Sequence, residues 1–337
     1  MRLLVTGGAG FIGSNFIRYV LTEYPGVQVT NLDLLTYAGN PASLRDLEDR
    51  ADYTFVQGDI CAPEVVDRLM ADTDAVVNFA AESHVDRSID GPAEFLRTNV
   101  SGAGMVFDAA RRHEVEQVLH ISTDEVYGSI AAPRSSQEGD PLEPNSPYSA
   151  SKASADLLAR AYRETYGLPI TVTRTTNNFG PYHYPEKAIP LFVTNLIDDG
   201  RIPLYGKGDQ VRDWLFVRDN AAAQWVALTE GTPGDVYNVG AGNEMTNREL
   251  TLAILDRFGL GEERIDHVAD RPGHDLRYSV NTGKITGLGW QPTVSFEQAL
   301  DATIDWYRNN EWWWRPLKEA GASARRGAVS QASSSRG

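Results

Sequence analysis

The eight residues TGGAGFIG, at 6–13, constrain this chain more than any other stretch. They directly follow a short apolar run, Leu3-Leu4-Val5, and open a segment with helical spacing at Phe16, Ile17, Val20 and Leu21. Gly7, Gly10 and Gly13 satisfy G-x-x-G-x-x-G, and Gly8, Gly10 and Gly13 satisfy G-x-G-x-x-G. Glycine lets such a turn take positive φ and lets backbone N–H groups approach a diphosphate at a helix N-terminus. A glycine turn alone is common, so its context matters. Asp33 closes the next apolar run, 20 residues beyond Gly13, where an acid can bind ribose hydroxyls. A carboxylate there repels a 2′-phosphate, and residues 34–37 (LLTY) offer no Arg to hold one, so NAD is favoured over NADP. Asp59, in GDI at 58–60, follows the third apolar run and either grips an adenine or simply ends a strand.

The pattern then repeats. Val27–Asp33, Tyr53–Val56, Ala75–Phe79, Val118–Ser122 and Ile170–Arg174 read as short, nearly continuous apolar strands, with helices over 93–112 and 147–166. Such strands alternating with helices predict a parallel sheet covered on both faces. Past residue 176 turn residues grow denser, as in NNFGPYHYPEK (177–187) and YGKGDQ (205–210), and the elements shorten. The predicted fold is α/β. A doubly wound parallel sheet of Rossmann type occupies 1–176, with segments near 210–240 (Asp213–Val217 and Asp235–Val239) returning to it. A smaller mixed α/β substrate-binding lobe occupies 177–318. Residues 319–337, EAGASARRGAVSQASSSRG, hold too few large apolar side chains to offset their ordering entropy, which predicts a disordered tail. Trp312-Trp313-Trp314 reads as a packed terminal helix.

Composition narrows the classes of function. With 46 acids against 31 bases the net charge is −15, which disfavours a nucleic-acid partner. The same surplus fits an ordinary acidic surface or one adapted to high salt. No run approaches the ~20 apolar residues of a membrane span, and the first residues read as a strand rather than a leader. The single cysteine, Cys61, excludes an internal disulfide and predicts a reducing compartment, so a soluble cytoplasmic protein is expected. The histidines (84, 113, 120, 183, 267 and 274) show no ligand spacing and have no cysteine cluster beside them, so no metal is expected.

The chemistry is concentrated in two stretches. SPYSASK (146–152) places Tyr148 and Lys152 four residues apart, on one face of a helix. An adjacent ammonium favours a phenolate, and a phenolate beside a nicotinamide can take the proton of an alcohol as hydride leaves its carbon. HISTDEVYGS (120–129) ends an apolar run in Thr123, Asp124 and Glu125. Adjacent acids there suit a reaction that removes a carbon-bound proton and expels water, since those steps need a base and an acid on one substrate.

With the glycine loop, Asp33 and the Tyr-Lys pair together, the chain resembles the extended short-chain dehydrogenase/reductases, the family of nucleotide-sugar epimerases and dehydratases. The TDE triplet is similar to the signature of dTDP-glucose 4,6-dehydratases. So are FAAESHVDRSI (79–89), NNFGPYHYPEK (177–187), PLYGKGDQVRDW (203–214), TNREL (246–250) and DRPGHDLRY (270–278), which extend the resemblance over 1–318. A 4-epimerase of the same superfamily would use Tyr148 and NAD but leave Asp124 and Glu125 without a task. A non-catalytic NAD-binding scaffold would need none of the four. Ala188, where a leucine is usual, and Asn15 and Asn220, where histidines are common, depart from the pattern without touching the triplet.

The resemblance implies a homodimer acting on dTDP-glucose through bound NAD. Tyr148 takes the 4-hydroxyl proton as hydride passes from C4 to NAD, and Thr123 bonds the forming ketone. Glu125 removes the C5 proton, Asp124 protonates the departing 6-hydroxyl, and the hydride returns to C6. Lys152 completes the implied catalytic set and holds the nicotinamide ribose. The implied cofactor contacts are Gly7, Gly10, Phe11, Ile12, Gly13, Asp33, Leu34, Leu35, Thr36, Asp59, Ile60, Phe79, Ala80, Ala81, Ser83, Thr98, Tyr148, Lys152 and Asn178. The implied substrate contacts are Ser83, Thr123, Asn177, Lys187, Ala188, Pro203, Leu204, Tyr205, Arg212, Asn247, Asp270, Arg271, Pro272, Gly273 and His274. Lys187, Arg212 and Arg271 would supply cations for a diphosphate.

Overall fold

The apolar runs of the first half become neighbouring strands: those at the centre of the sheet are buried on both faces, whereas the edge run Tyr53–Gln57 is largely exposed. The computed structural model describes residues 1–270 and 274–321. In chain order the first elements are β1 (Arg2–Thr6), α1 (Phe11–Glu23), β2 (Gln28–Asp33), β3 (Tyr53–Gln57), α2 (Pro63–Met70) and β4 (Ala75–Asn78). Then come α3 (Val85–Asp90), α4 (Pro92–Phe95), a π-helical stretch (Leu96–Gly102) and α5 (Ala103–Arg112), which together replace the uniform helix expected over 93–112. β5 (Gln117–Thr123) leads through a 3₁₀ turn (Asp124–Tyr127) to α6 (Pro147–Tyr166) and β6 (Ile170–Thr175). Ser146 and Ser149 form a capping box at the start of α6, Pro147 occupies its first turn, and Gly167 ends it in the left-handed conformation.

The second half supplies β7 (Asn177–Phe179), α7 (Ala188–Ile197), β8 (Ile202–Tyr205), β9 (Val211–Phe216), α8 (Val217–Thr229) and β10 (Val236–Val239). It continues with β11 (Glu244–Thr246), α9 (Asn247–Phe258), β12 (Ile265–Val268), α10 (Gly283–Thr286) and α11 (Phe296–Asn309), and ends in a helix over 311–321. One parallel sheet of seven strands runs β10-β6-β5-β4-β1-β2-β3. Alternation along the strands divides two cores. Leu3, Val5, Ala75, Val77, Leu119 and Ile121 pack on the side of α1 and α8, while Leu4, Val76 and Val118 pack on the side of α2, α5 and α6.

Of the two segments expected to return to this sheet, only the second does so, as β10 beside β6. β9 instead pairs in parallel with β7 and antiparallel with β11. Asp213 explains the difference: its buried carboxylate accepts the amides of Ala241, Gly242 and Asn243 and clamps β9 to the turn entering β11. A separate core joins Phe179, Trp214, Leu250, Ile254, Phe296 and Leu300 with Trp313 and Trp314 of the terminal helix, whereas Trp312 is exposed. That helix continues to residue 321, past the start of the expected disordered tail, and residues 322–337 of that tail lie outside the described residues.

Candidate active site

A cleft of ≈ 340 Å³ opens where the strands of the large sheet end. β1 delivers the glycine turn to its floor. Gly7 has φ +69°, and a Cβ there would lie 2.6 Å from the Ala80 nitrogen. A Cβ on Gly13 would lie 2.4 Å from the Gly7 carbonyl oxygen. Gly10 caps α1 without a side chain, so the first-turn amides of Phe11 and Ile12 meet the cleft uncovered. Asp33, at the end of β2, accepts from the Ala9 amide (2.9 Å) and the Leu35 amide (2.8 Å), and burial, opposed by these bonds, raises its carboxyl above the usual range. The loop is thus shaped for a diphosphate and Asp33 for a ribose diol, so the residues present fit NAD.

Most of the expected cofactor residues line this cleft: Leu34 and Thr36 after Asp33, Asp59 and Ile60 after β3, Phe79 to Ala81 and Ser83 after β4, Thr98 on the π-helical stretch, and Asn178 on β7. Leu35 is absent from the lining and contributes its backbone instead, at φ 59°. Asp59 is engaged by the Cys61 amide (2.8 Å) and by Arg97; although burial opposes them, these hold it below the usual carboxylate range.

The reactive groups come from β5 and α6. Thr123 ends β5, and its hydroxyl accepts the Glu125 amide (3.3 Å), starting the 3₁₀ turn. Asp124 is buried and Glu125 half-buried, and both reach the cleft. Burial first and the Glu125 charge second hold the Asp124 carboxyl well above its usual range, against the pull of Arg212. The Thr123 hydroxyl lies 3.3 Å from Asp124 Oδ1, and Oδ2 has no hydrogen-bond partner among the described residues.

Tyr148 and Lys152 share a face of α6, and both line the cleft. The Lys152 ammonium donates to the Ile121 carbonyl (2.6 Å), and burial pulls it to about 8 against the charge of Asp156. Burial and then the Glu125 charge push the Tyr148 phenol above its ordinary value, opposed by a hydrogen bond with Thr123.

Of the expected substrate residues, Ser83, Thr123, Asn177, Lys187 and Ala188 line the cleft, and Lys187 donates to the Ser83 carbonyl (3.1 Å). Pro203, Tyr205, Asn247, Asp270 and His274 lie outside that lining, around β8 and the start of α9. There the rings of Tyr205 and His274 meet edge to face, and Asp270 pairs with His274 (2.6 Å) and Gln210 (2.6 Å). Leu204 turns its side chain into the lobe core, leaving its backbone for such a contact. Arg212 is buried over the Tyr278 ring (4.2 Å). Arg271, Pro272 and Gly273 lie outside the described residues.

Sequence reasoning missed several groups here. Tyr278 closes the quoted block at 270–278; its hydroxyl donates to Asp275 (2.7 Å), and burial and then Glu125 raise its phenol. Glu186, beside Lys187, lines the cleft and pairs with Arg87 (3.1 Å). His183 stacks on Phe11 (4.1 Å) and ties the loop after β7 to the phosphate turn. An aromatic inside a matched block and an acid next to a matched lysine were the available signals. Among the described residues, no group of three or more His, Cys, Asp or Glu is placed to hold a metal.

A sequence profile of the GDP-mannose 4,6 dehydratase family matches residues 4–303. A dTDP-glucose 4,6-dehydratase from Streptomyces niveus is 52% identical over 323 residues, covering 94% of this chain and 96% of its own. The low-salt glycan biosynthesis protein Agl12 of Haloferax volcanii is 51% identical over 311 residues, covering 92% of this chain and all of its own (100%). The crystal structure of DesIV, a dTDP-glucose 4,6-dehydratase from Streptomyces venezuelae with NAD and TDP bound, superposes with a TM-score of 0.92 at 52% identity, covering 94% of this chain and 100% of that one.

Proposed function

This chain belongs to the GDP-mannose 4,6 dehydratase family, and from that premise we propose that it is an NAD-dependent hydro-lyase converting dTDP-glucose to dTDP-4-keto-6-deoxyglucose and water. When bound, NAD supplies a cationic ring that accepts a hydride from C4 and gives it back at C6. The chain's own residues handle the protons. Tyr148 takes the proton of the 4-hydroxyl, and Thr123, hydrogen-bonded to Tyr148, steadies the oxygen that becomes the ketone. The ketone acidifies C5–H, and the Glu125 carboxylate removes that proton and gives it back to C5 when the hydride is returned at C6. Asp124 delivers its own proton to the 6-hydroxyl as it leaves as water. We assign the Lys152 ammonium and Asn178 to the cofactor's nicotinamide half, and Lys187 and Arg212 to the diphosphate.

The observation that carries this reading is Asp124, buried and pushed toward its neutral form beside the half-buried Glu125. An acid held toward its proton beside a second carboxyl is what an elimination needs, and an oxidoreductase or epimerase has no use for the pair. We assign NAD to residues 1–176 with the returning strand β10, and the sugar nucleotide chiefly to 177–318. The deciding experiment is incubation with dTDP-, UDP-, CDP- and GDP-glucose. Loss of one water from dTDP-glucose supports the reading; a C4 isomer of unchanged mass, or no turnover of any of them, refutes it.

We further infer a cytoplasmic homodimer. No described helix is long and apolar enough to cross a membrane. Leu96 and Leu157, on the two helical segments 92–112 and 147–166, are 54% and 60% exposed, which suits burial against a second copy. Light scattering should give twice the chain mass, and Leu157→Glu should halve it; a monomeric wild type refutes this.

A further inference from the structure

Arg212, on β9, is a buried cation, and three acids around it are engaged elsewhere. Its guanidinium donates to the Val211 carbonyl (2.7 Å) and the Asp275 carbonyl (2.9 Å), and lies over the Tyr278 ring (4.2 Å). Of the five N–H groups of a guanidinium these bonds use two, and the rest have no hydrogen-bond partner among the described residues. Asp213, next along β9, gives its carboxylate to the amides of Ala241, Gly242 and Asn243. Asp124, which feels the Arg212 charge, is held toward its neutral form. Asp275, 8% exposed, meets Arg212 through its backbone. Its carboxylate is spent elsewhere: Oδ1 accepts Asn145 Nδ2 (2.8 Å), and Oδ2 accepts the Tyr278 hydroxyl (2.7 Å).

The backbone lays residues 275–278 along β9: the Val211 amide donates to the Leu276 carbonyl (2.7 Å), and the Tyr278 amide donates to the Val211 carbonyl (3.3 Å). Asn145 comes from a third segment, immediately before the Ser146 cap of α6. Burying a cation without an acid is costly, and an arriving anion offsets that cost. An aromatic ring beneath a guanidinium attracts it and sets its plane, but only as firmly as the ring itself is held. Burial and then the Glu125 charge keep the Tyr278 phenol protonated, so it is the donor to Asp275. We propose that Asp275 is a positioning residue for Arg212: its carboxylate fastens the Tyr278 ring beneath the guanidinium and ties it to the loop ahead of α6, while its carbonyl takes one N–H, so that the remaining N–H groups are presented to a diphosphate. The division of labour is in the Asp275 atoms. A carboxylate turned on Arg212 would neutralise the charge that the diphosphate needs, whereas a carbonyl orients the guanidinium and leaves its charge in place.

The proposal rests on Arg212 meeting the diphosphate as assigned above, yet its first readout needs no substrate. In arginine-selective NMR of the NAD-loaded protein, the Arg212 side-chain signal, assigned with Arg212→Lys, should be displaced by the current of the Tyr278 ring. In Asp275→Ala that displacement should vanish, and calorimetry should show dTDP bound at least about tenfold more weakly. Asp275→Asn keeps an acceptor for Asn145, and the Tyr278 hydroxyl can turn to accept from the new amide; the displacement should persist and dTDP affinity stay within about twofold of wild type. Asp275→Ala leaves two buried donors unpaired. If it does not fold, Tyr278→Phe keeps the ring and removes only its bond to Asp275; the displacement should shrink and dTDP affinity fall at least about threefold. If the Arg212 signal and dTDP affinity of either folded variant match wild type while only the melting temperature falls, Asp275 is structural and the proposal is overturned. Asp275→Asn behaving like Asp275→Ala overturns it as well, since charge rather than the two hydrogen bonds would then be the cause. A wild type that binds no dTDP counts against the nucleotide reading, and the Arg212 signal still decides the proposal.

Discussion

Replacing Asp124 by asparagine separates the two halves of the proposed reaction. The substitution is nearly isosteric and neutral, and Asp124 is itself held toward its neutral form by burial and Glu125. What disappears is the transferable proton. Loss of a positioned general acid costs about 10² to 10⁴ in rate, or roughly 3 to 5 kcal/mol. C4 oxidation should barely notice. Its link to Asp124 is the Thr123 hydroxyl at 3.3 Å, a long contact worth at most about 0.5 kcal/mol, or roughly a twofold effect. Single-turnover experiments with dTDP-glucose test this directly. The near-ultraviolet absorbance of reduced nicotinamide should appear at close to the wild-type rate in Asp124→Asn and then persist, while the mass loss of water is delayed at least about a hundredfold. A raised carboxyl pKa contributes stability that is complete below the unfolded value of 3.8 and is lost as pH rises toward the folded value. At pH near ~7 the asparagine variant should therefore melt no lower than wild type. Oxidation and water loss slowed by the same factor would refute the assignment of Asp124 as the acid.

Three further outcomes follow from the same geometry. Gly13→Ala places a methyl 2.4 Å from the Gly7 carbonyl oxygen, backbone that cannot move aside without opening the turn; NAD affinity measured by calorimetry should fall at least about tenfold, and an unchanged affinity would contradict the phosphate-cradle reading. Tyr148, compared with Tyr148→Phe by phenol absorbance, should stay protonated past the ordinary ~10 in the NAD-free chain and ionise at lower pH once the cationic cofactor is bound; equal titrations would show that NAD does not set its charge. With a net charge of −15, self-repulsion outweighs surface pairs such as Arg2–Asp74 (2.6 Å), so molar KCl should raise the melting temperature; a fall would show that the surface pairs dominate.

Much of the architecture was legible because it rests on local rules. Alternation between buried runs and helical spacing located six strands of the main sheet, and the helix expected over 147–166 is α6. The glycine turn and Asp33 were legible because each does a backbone task that few residues can do. The rest depended on contacts between distant segments. Nothing local in DWLFV says that Asp213 will clamp the turn at 241–243 and draw β9 out of the main sheet. Leu204 sits in a matched block, yet strand alternation sends its side chain to the lobe core. The Tyr148–Lys152 spacing fixed a shared helix face correctly, but the direction of the ammonium was set by the Ile121 carbonyl on β5, over thirty positions earlier in the sequence.

The proton states of Tyr148 and Asp124 bear on the order of events in the cleft. Burial and then the Glu125 charge oppose ionisation of Tyr148, with a Thr123 hydrogen bond acting the other way. Asp124 is also kept toward its proton, by burial, Glu125 and Asp213, even though the Arg212 cation acts on it. The chain alone therefore holds both proton carriers loaded. Only one of them must be unloaded for reaction to begin. Asp124 already feels a nearby positive charge and remains raised, so adding one more is a weak way to strip it. Tyr148 is held toward its proton by burial and the Glu125 charge, and a cationic cofactor beside it would pull the other way. Cofactor binding thus readies the base for the 4-hydroxyl while leaving the acid for the 6-hydroxyl protonated, which is the order in which oxidation followed by elimination uses them.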